Sequence, residues 1–179
     1  MTGTGRGWER GCVQVYTGGG KGKTTAALGL ALRAAGAGLR VFFCQFLKGR
    51  PTSEIAAMER FKDLVTVRRF GACRFVRGQP SAEDLDAARQ GLEAAREALT
   101  SGRHDVVILD ETCSTVRWGL LTKGDLLSLV DAKPRAVELV FTGRDAPQEL
   151  VDRADLVTEM REVKHYYRQG VAARVGIEE

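Results

Sequence analysis

Residues 17–25 read TGGGKGKTT, and the segments on either side restrict what the chain can become. Before them lies CVQVY (12–16), a β-branched run that reads as a buried strand. After them an Ala/Leu-rich run over 24–35 reads as a helix stopped by Gly36. Strand, glycine loop and helix form the setting in which G-x-x-x-x-G-K-[ST] wraps an anion. Gly22, Lys23 and Thr24 close that motif here, while Thr17 stands at its first glycine position. Gly18, Gly19, Gly20 and Gly22 let the backbone turn its N–H groups inward. The helix N-terminus adds partial positive charge. Lys23 supplies a point charge for phosphate oxygens, and the Thr24 hydroxyl is a ligand for Mg2+. Thr25 continues the binding loop onto the helix. Lys21 has no fixed place in the motif and is either a second phosphate cation or a solvated side chain. A turn that merely happens to contain GKT is disfavoured by these neighbours.

The rest of the chain repeats the alternation. Strands are expected at 39–47 (LRVFFCQFL), 64–70 (LVTVRRF), 105–110 (DVVILD), in AVELVFTG and in DLVTEM. Helices are expected in SEIAAMERF, from Ser81 onward, in TKGDLLSLV and in PQELVDRA. Ser81 with Asp84, and Thr122 with Asp125, have the spacing of capping boxes. Leu85, Ala88, Leu92, Ala95 and Leu99 form one apolar stripe at helical spacing. Near-continuous Val/Ile/Leu strands separated by helices predict an α/β fold. The expected architecture is a single P-loop NTPase-like domain, a mostly parallel sheet with helices on both faces. At 179 residues, 44% hydrophobic, the chain suffices for one such domain, taken as residues 12–179. Residues 1–11, MTGTGRGWERG, are expected to be a flexible tail, and lack the apolar centre of a signal peptide, so the cytoplasm is the expected location.

The strand VVILDE delivers Asp110 and Glu111 at its carboxyl end, where open α/β sheets bind ligands. One carboxylate is expected in the Mg2+ shell, so Thr24, Asp110 and Glu111 are the candidate metal residues. Loop and acids together predict Mg-ATP binding, without fixing the reaction: an ATPase, a kinase and a nucleotidyl-type transferase all fit. Composition narrows the partners. The longest apolar stretch, VFFCQFL, is too short for a bilayer. A net charge of +4 and a pI near 9.0 come without a basic stripe interleaved with aromatics, favouring a small anion over nucleic acid. Cys12, Cys44, Cys73 and Cys113 lack C-x-x-C spacing, which argues against zinc or a redox dithiol. Cys12, Cys44 and Cys113 are expected in the core, and His104 at the surface.

Several segments, in order, carry a resemblance: YTGGGKGKTTAALGLALRAAG with its Arg33, QFLKG (45–49), ILDE, VFTGRDAPQELVDRADLVTEM, and VKHYYRQGVAARVGIEE. The sequence resembles the ATP:corrinoid adenosyltransferases of the CobA/CobO/BtuR type over everything after residue 11. The resemblance implies attack of cobalt(I) in a reduced corrinoid on C5′ of ATP, with inorganic triphosphate leaving. It implies Mg2+ as cofactor and ATP and a reduced cobalamin or cobyrinate-type corrinoid as substrates. It further implies an electron-donating reductase, expected to be a flavoprotein, and a homodimer. The nucleotide is expected to lie reversed in the loop, with its γ-phosphate deep.

On this reading Lys23 and Glu111 are catalytic, and Arg33, Arg144, Lys164 and His165 join the loop as binding residues. Arg144 either binds phosphate or pairs with Asp145 or Asp155. The resemblance also implies apolar side chains that displace the corrinoid's lower axial ligand, from the loop RFGACRFVRG. Phe75 is the candidate there, with ordinary packing as its competitor, and Trp118 is second. Two departures stand out: Gly19 replaces the family's Asn or Asp, and the eleven residues before the first strand are short for a lid over a partner subunit. A γ-phosphoryl-transferring ATPase or kinase, and a non-catalytic carrier of ATP and corrinoid, are the rival readings.

Overall fold

The computed structural model describes residues 8–49, 52–71 and 78–178. Six strands form one sheet: β1 (Val13–Thr17), β2 (Val41–Phe46), β3 (Val65–Phe70), β4 (Val106–Asp110), β5 (Glu138–Thr142) and β6 (Leu156–Glu159). Their spatial order is β3-β2-β4-β5-β1-β6. Every recorded pairing is parallel, with β4 and β1 separated by β5. All strands therefore point the same way, and their carboxyl ends line one rim.

Helices α1 (Lys23–Gly36) and α2 (Ser53–Met58) pack on one face, around Ala27, Ala31, Phe43, Ile108 and Val140. Helices α3 (Ala82–Thr100) and α5 (Lys123–Ala132) cover the other, around Phe42, Phe46, Leu99, Leu109, Leu126 and Phe141. Successive residues of β2 thus enter opposite cores, and all six are buried. Burial of each such large apolar side chain contributes roughly 1.5–3 kcal/mol. The shorter helices α4 (Thr112–Arg117) and α6 (Gln148–Arg153) follow β4 and β5. No helix among the described residues is long and apolar enough to cross a membrane.

Both anticipated capping boxes are present: Ser81 and Asp84 bond reciprocally at α3, as do Thr122 and Asp125 at α5. Other expectations are modified. The SEIAAMERF helix ends at Met58 and tightens into a 3-10 turn, Glu59–Phe61. Helix α4 has no counterpart in the sequence reading. Its residues TCSTV, before Arg117, are poor helix formers, and Glu111 launches it from a left-handed backbone (φ 61°). Strand β6 lies at the sheet's edge and is exposed throughout, unlike the covered strands. His104 corrects a surface expectation: it is buried, with its ring 5.4 Å from that of Phe42 and Nδ1 3.4 Å from the Ala98 carbonyl oxygen. Cys44 and Cys113 are buried as expected, whereas Cys12 is half-buried. Residues 8–11 carry bonds to the domain: Trp8 Nε1 donates to Ala136 O (3.2 Å) and the Gly11 amide to Arg135 O (2.8 Å).

Candidate active site

The glycine loop joins β1 to α1 at the carboxyl rim. Gly18 (φ 95°) and Gly22 (φ 123°) hold backbone conformations that side-chain-bearing residues rarely adopt. A Cβ on Gly20 would meet Met160 O at 2.7 Å, and the Gly20 amide donates to that carbonyl at 2.6 Å. The loop is thus stapled to the chain leaving β6. Around Gly19, by contrast, a Cβ would meet nothing within 4 Å. The first turn of α1 carries no acidic residue and no side-chain cap. Its amides and partial positive charge are left to an anion.

Lys23 is buried, and Nζ donates to the loop carbonyls of Gly18 (2.7 Å) and Gly20 (2.8 Å). Burial pushes its pKa below the usual lysine value, against the pull of Glu111. Thr24 Oγ1 donates to Asp110, 2.9 Å from Oδ1. The Asp110 carboxylate is fully buried at the end of β4. It also accepts from Thr142 Oγ1 (2.7 Å), Gln45 Nε2 (3.2 Å) and Lys48 Nζ (3.3 Å). Gln45 Oε1 is buried without a hydrogen-bond partner among the described residues.

Thr142 joins the two acids, because its hydroxyl also accepts from the Glu111 amide at 2.9 Å. The Glu111 side chain turns toward the rim and accepts from Ser114 Oγ at 2.6 Å, while the Arg144 amide donates to Ser114 Oγ at 3.0 Å. Asp110 and Thr24 offer oxygen atoms, a ligand type suited to Mg2+, whose shell is shared with water and substrate phosphates. Among the described residues no three His, Cys, Asp or Glu side chains form a metal cluster. Burial pushes the Cys113 thiol up to about 12 and raises Cys44 as well. Neither thiol offers a thiolate nucleophile at neutral pH.

A cavity of about 1040 Å³ gathers most of the anticipated residues: Gly19, Gly20, Lys21, Gly22, Lys23, Thr24, Thr25, Glu111, Arg144 and His165. Its far wall is the C-terminal segment, which includes Tyr166, Tyr167 and Ile177. Lys21 reaches that wall, with Nζ donating to Ile177 O at 2.9 Å. Asp145 pairs with Arg117 and Asp155 with Arg10, so the two carboxylates considered for Arg144 hold other arginines. His165 caps the 3-10 turn Tyr166–Gln169, accepting from the Tyr167 amide at 3.1 Å. Lys164 is exposed and does not line the cavity. Arg33 is exposed in the last turn of α1, about 15 Å along the helix axis from Lys23. Trp118 is 39% exposed beneath the Arg117 guanidinium. Phe75 lies outside the described residues.

Thr142, Ser114 and Glu54 were missed in the sequence, and Gln45 and Lys48 were noticed only as part of QFLKG. The available signal was position: Gln45 lies near the carboxyl end of β2, Lys48 just beyond it, and Thr142 ends β5, all on the ligand side of a parallel sheet.

Residues 9–178 match the model of the family described as ATP:corrinoid adenosyltransferase BtuR/CobO/CobP. The chain is 35% identical over 171 residues to a corrinoid adenosyltransferase of Escherichia coli strain K12, covering 95% of this chain and 86% of that one. It is 34% identical over 171 residues to a corrinoid adenosyltransferase of Pseudomonas aeruginosa, covering 95% and 84%. An uncharacterised Nostoc protein, all2391, is 38% identical over 169 residues, which span 87% of this chain and 45% of the Nostoc protein.

Proposed function

This chain belongs to the ATP:corrinoid adenosyltransferase family, and from that premise we propose that it transfers the 5′-deoxyadenosyl group of ATP to the cobalt(I) of a reduced corrinoid. The cobalt–carbon bond forms as C5′ loses its bond to the triphosphate oxygen, and triphosphate departs with that electron pair. The observation that carries this reading is the single cavity into which the glycine loop, Lys23, Glu111 and Arg144 all open. Its volume, about 1040 Å³, reaches the upper end of small-molecule sites and leaves ample room for a nucleotide.

The nucleophile belongs to the corrinoid, so the protein's task is to bind, orient and neutralise charge. In the bound complex Lys23 exchanges the two loop carbonyls for phosphate oxygens, where its charge stabilises the leaving triphosphate. Thr24, Asp110 and Glu111 are the residues that would hold Mg2+, and the ion would supply Lewis-acid neutralisation of the phosphate charge. Thr25, Lys21 and Arg144 flank the polyphosphate. His165 orders the wall through its cap on Tyr167, and Phe75, Lys164 and Arg33 are assigned to the corrinoid side or to a partner subunit. We assign the chain a cytoplasmic location, a homodimeric state and an electron-donating flavoprotein reductase as partner.

The decisive experiment mixes purified protein, Mg-ATP and chemically reduced cob(I)alamin without oxygen. Adenosylcobalamin in the visible spectrum with intact triphosphate is the expected result, and Lys23→Ala abolishes it. ADP and phosphate without a cobalt–carbon product would instead establish γ-phosphoryl transfer. Binding of both ligands without turnover would establish a carrier.

A further inference from the structure

Asp110 is fully buried, and Lys48 is the only cationic side chain bonded to it among the described residues. Lys48 Nζ lies 3.3 Å from Asp110 Oδ2 and 3.8 Å from Glu54 Oε1. Both Lys48 and Glu54 line the nucleotide cavity, with side chains 28% and 23% exposed. The backbone that delivers Lys48 is unusual. Leu47 has φ 61°, in the left-handed region, and its amide is tied to Phe70 O at 3.0 Å. Gly71 presses against the same turn, where a Cβ would meet the Lys48 backbone nitrogen at 2.9 Å. A strained turn held from two sides therefore directs one lysine at the carboxylate expected to hold the cation.

We propose that Lys48 is a mobile phosphate-binding residue that yields Asp110 to the divalent cation and passes to the polyphosphate of the nucleotide. The inference rests on the nucleotide reading of the cavity. A divalent ion bound through Asp110 and the Thr24 hydroxyl competes with the ammonium for the same oxygens, and the two positive charges repel. The lysine stem is flexible and opens onto the cavity that would hold the phosphates. Glu54, on α2, guides the displaced ammonium without burying it. Lys48 thereby keeps the buried Asp110 charge paired before the cation arrives and pairs phosphate charge afterwards.

The two halves of this exchange predict opposite signs for one substitution. Mn2+ binding without nucleotide is measured by electron paramagnetic resonance on the wild-type chain, Lys48→Met and Lys48→Arg. ATP affinity with saturating Mn2+ is measured by calorimetry on the same three proteins. Lys48→Met is expected to bind Mn2+ more tightly and ATP roughly tenfold to a hundredfold more weakly, the loss of one charge-assisted hydrogen bond. Lys48→Arg is expected to restore the competition with Mn2+. Unchanged or weaker Mn2+ binding by Lys48→Met, or unchanged ATP affinity, overturns the proposal while leaving the nucleotide reading intact. A wild-type chain that binds Mn2+ but no ATP overturns the nucleotide reading and this proposal with it.

Discussion

Thr142 does not line the cavity, yet it holds both acids of the site: it donates to Asp110 and accepts from the Glu111 amide. Thr142→Val keeps the branched shape and removes both bonds. It leaves a fully buried carboxylate one donor short, which costs about 1–3 kcal/mol of stability, read as a shift in the urea midpoint. Divalent-cation affinity is expected to fall about 10–100-fold, as for other residues behind a metal ligand. His104 permits a prediction at the other end of the sheet. Burial holds its pKa below 6.5; the Ala98 carbonyl pulls upward, Arg103 and Arg40 push down, and Asp105 pulls up. The unfolded chain therefore takes up the proton first as pH falls. Stability present above about pH 6.5 is lost from there down through the folded-state value. Urea midpoints at pH 7.5 and 5.5 should fall further apart in the wild type than in His104→Gln. Lys23 and Thr24 were singled out from the loop motif and Asp110 from the end of an apolar strand, whereas Thr142 was not, since a lone Thr at a strand end has no meaning until another strand lies beside it.

Among the elements, α3 depends most visibly on small residues. Gly91 lies where a Cβ would meet Phe46 Cε1 at 2.5 Å and Phe70 Cβ at 3.2 Å. The helix is thereby seated directly on β2 and β3, whose ends carry Gln45 and lead to Lys48. Gly91→Ala gains about 0.5–1 kcal/mol of helix preference. Overpacking against a buried ring costs about 1–3 kcal/mol, so net destabilisation is expected in thermal unfolding. Ser81→Ala, which removes half of the capping box of α3, should cost about 1 kcal/mol. That box was read correctly because capping is local: Ser81 and Asp84 are three residues apart. Helix α4 was missed because its formation depends on the Glu111 backbone and on burial of Thr112, Cys113, Ser114 and Thr115, not on propensity.

At the scale of the molecule, core and site are divided along the chain. Neither core contains a residue beyond 154, yet the segment 162–178 supplies one wall of the cavity and ties to Lys21. A chain ending after Arg161 should therefore keep most of its thermal midpoint and lose ATP affinity, as calorimetry on the two lengths would record. A large fall in the midpoint would mean instead that the segment is part of the cooperative fold. Strand β6 bears Leu156 and Val157 at 44% and 42% exposed on an open edge. Sedimentation of Leu156→Asp against the wild type tests whether that edge supports the proposed homodimer, with a shift toward monomer as the expected result.

The sequence alone determined the α/β alternation, the loop residues, the caps and the family likeness, because each is carried by neighbours along the chain or by the order of segments. Even the Asp-Glu pair was readable, since a strand of pure Val, Ile and Leu must end where polarity returns. Only the tertiary structure decided which strands lie side by side. By inserting β5 between β4 and β1 it brought Thr142 against Asp110 and Glu111, and by bending the chain after β2 it delivered Lys48 to the same carboxylate. Those contacts join residues 31 to 62 positions apart, a separation at which local pattern carries no information. Parallel pairing and the burial that accompanies it are what made them neighbours.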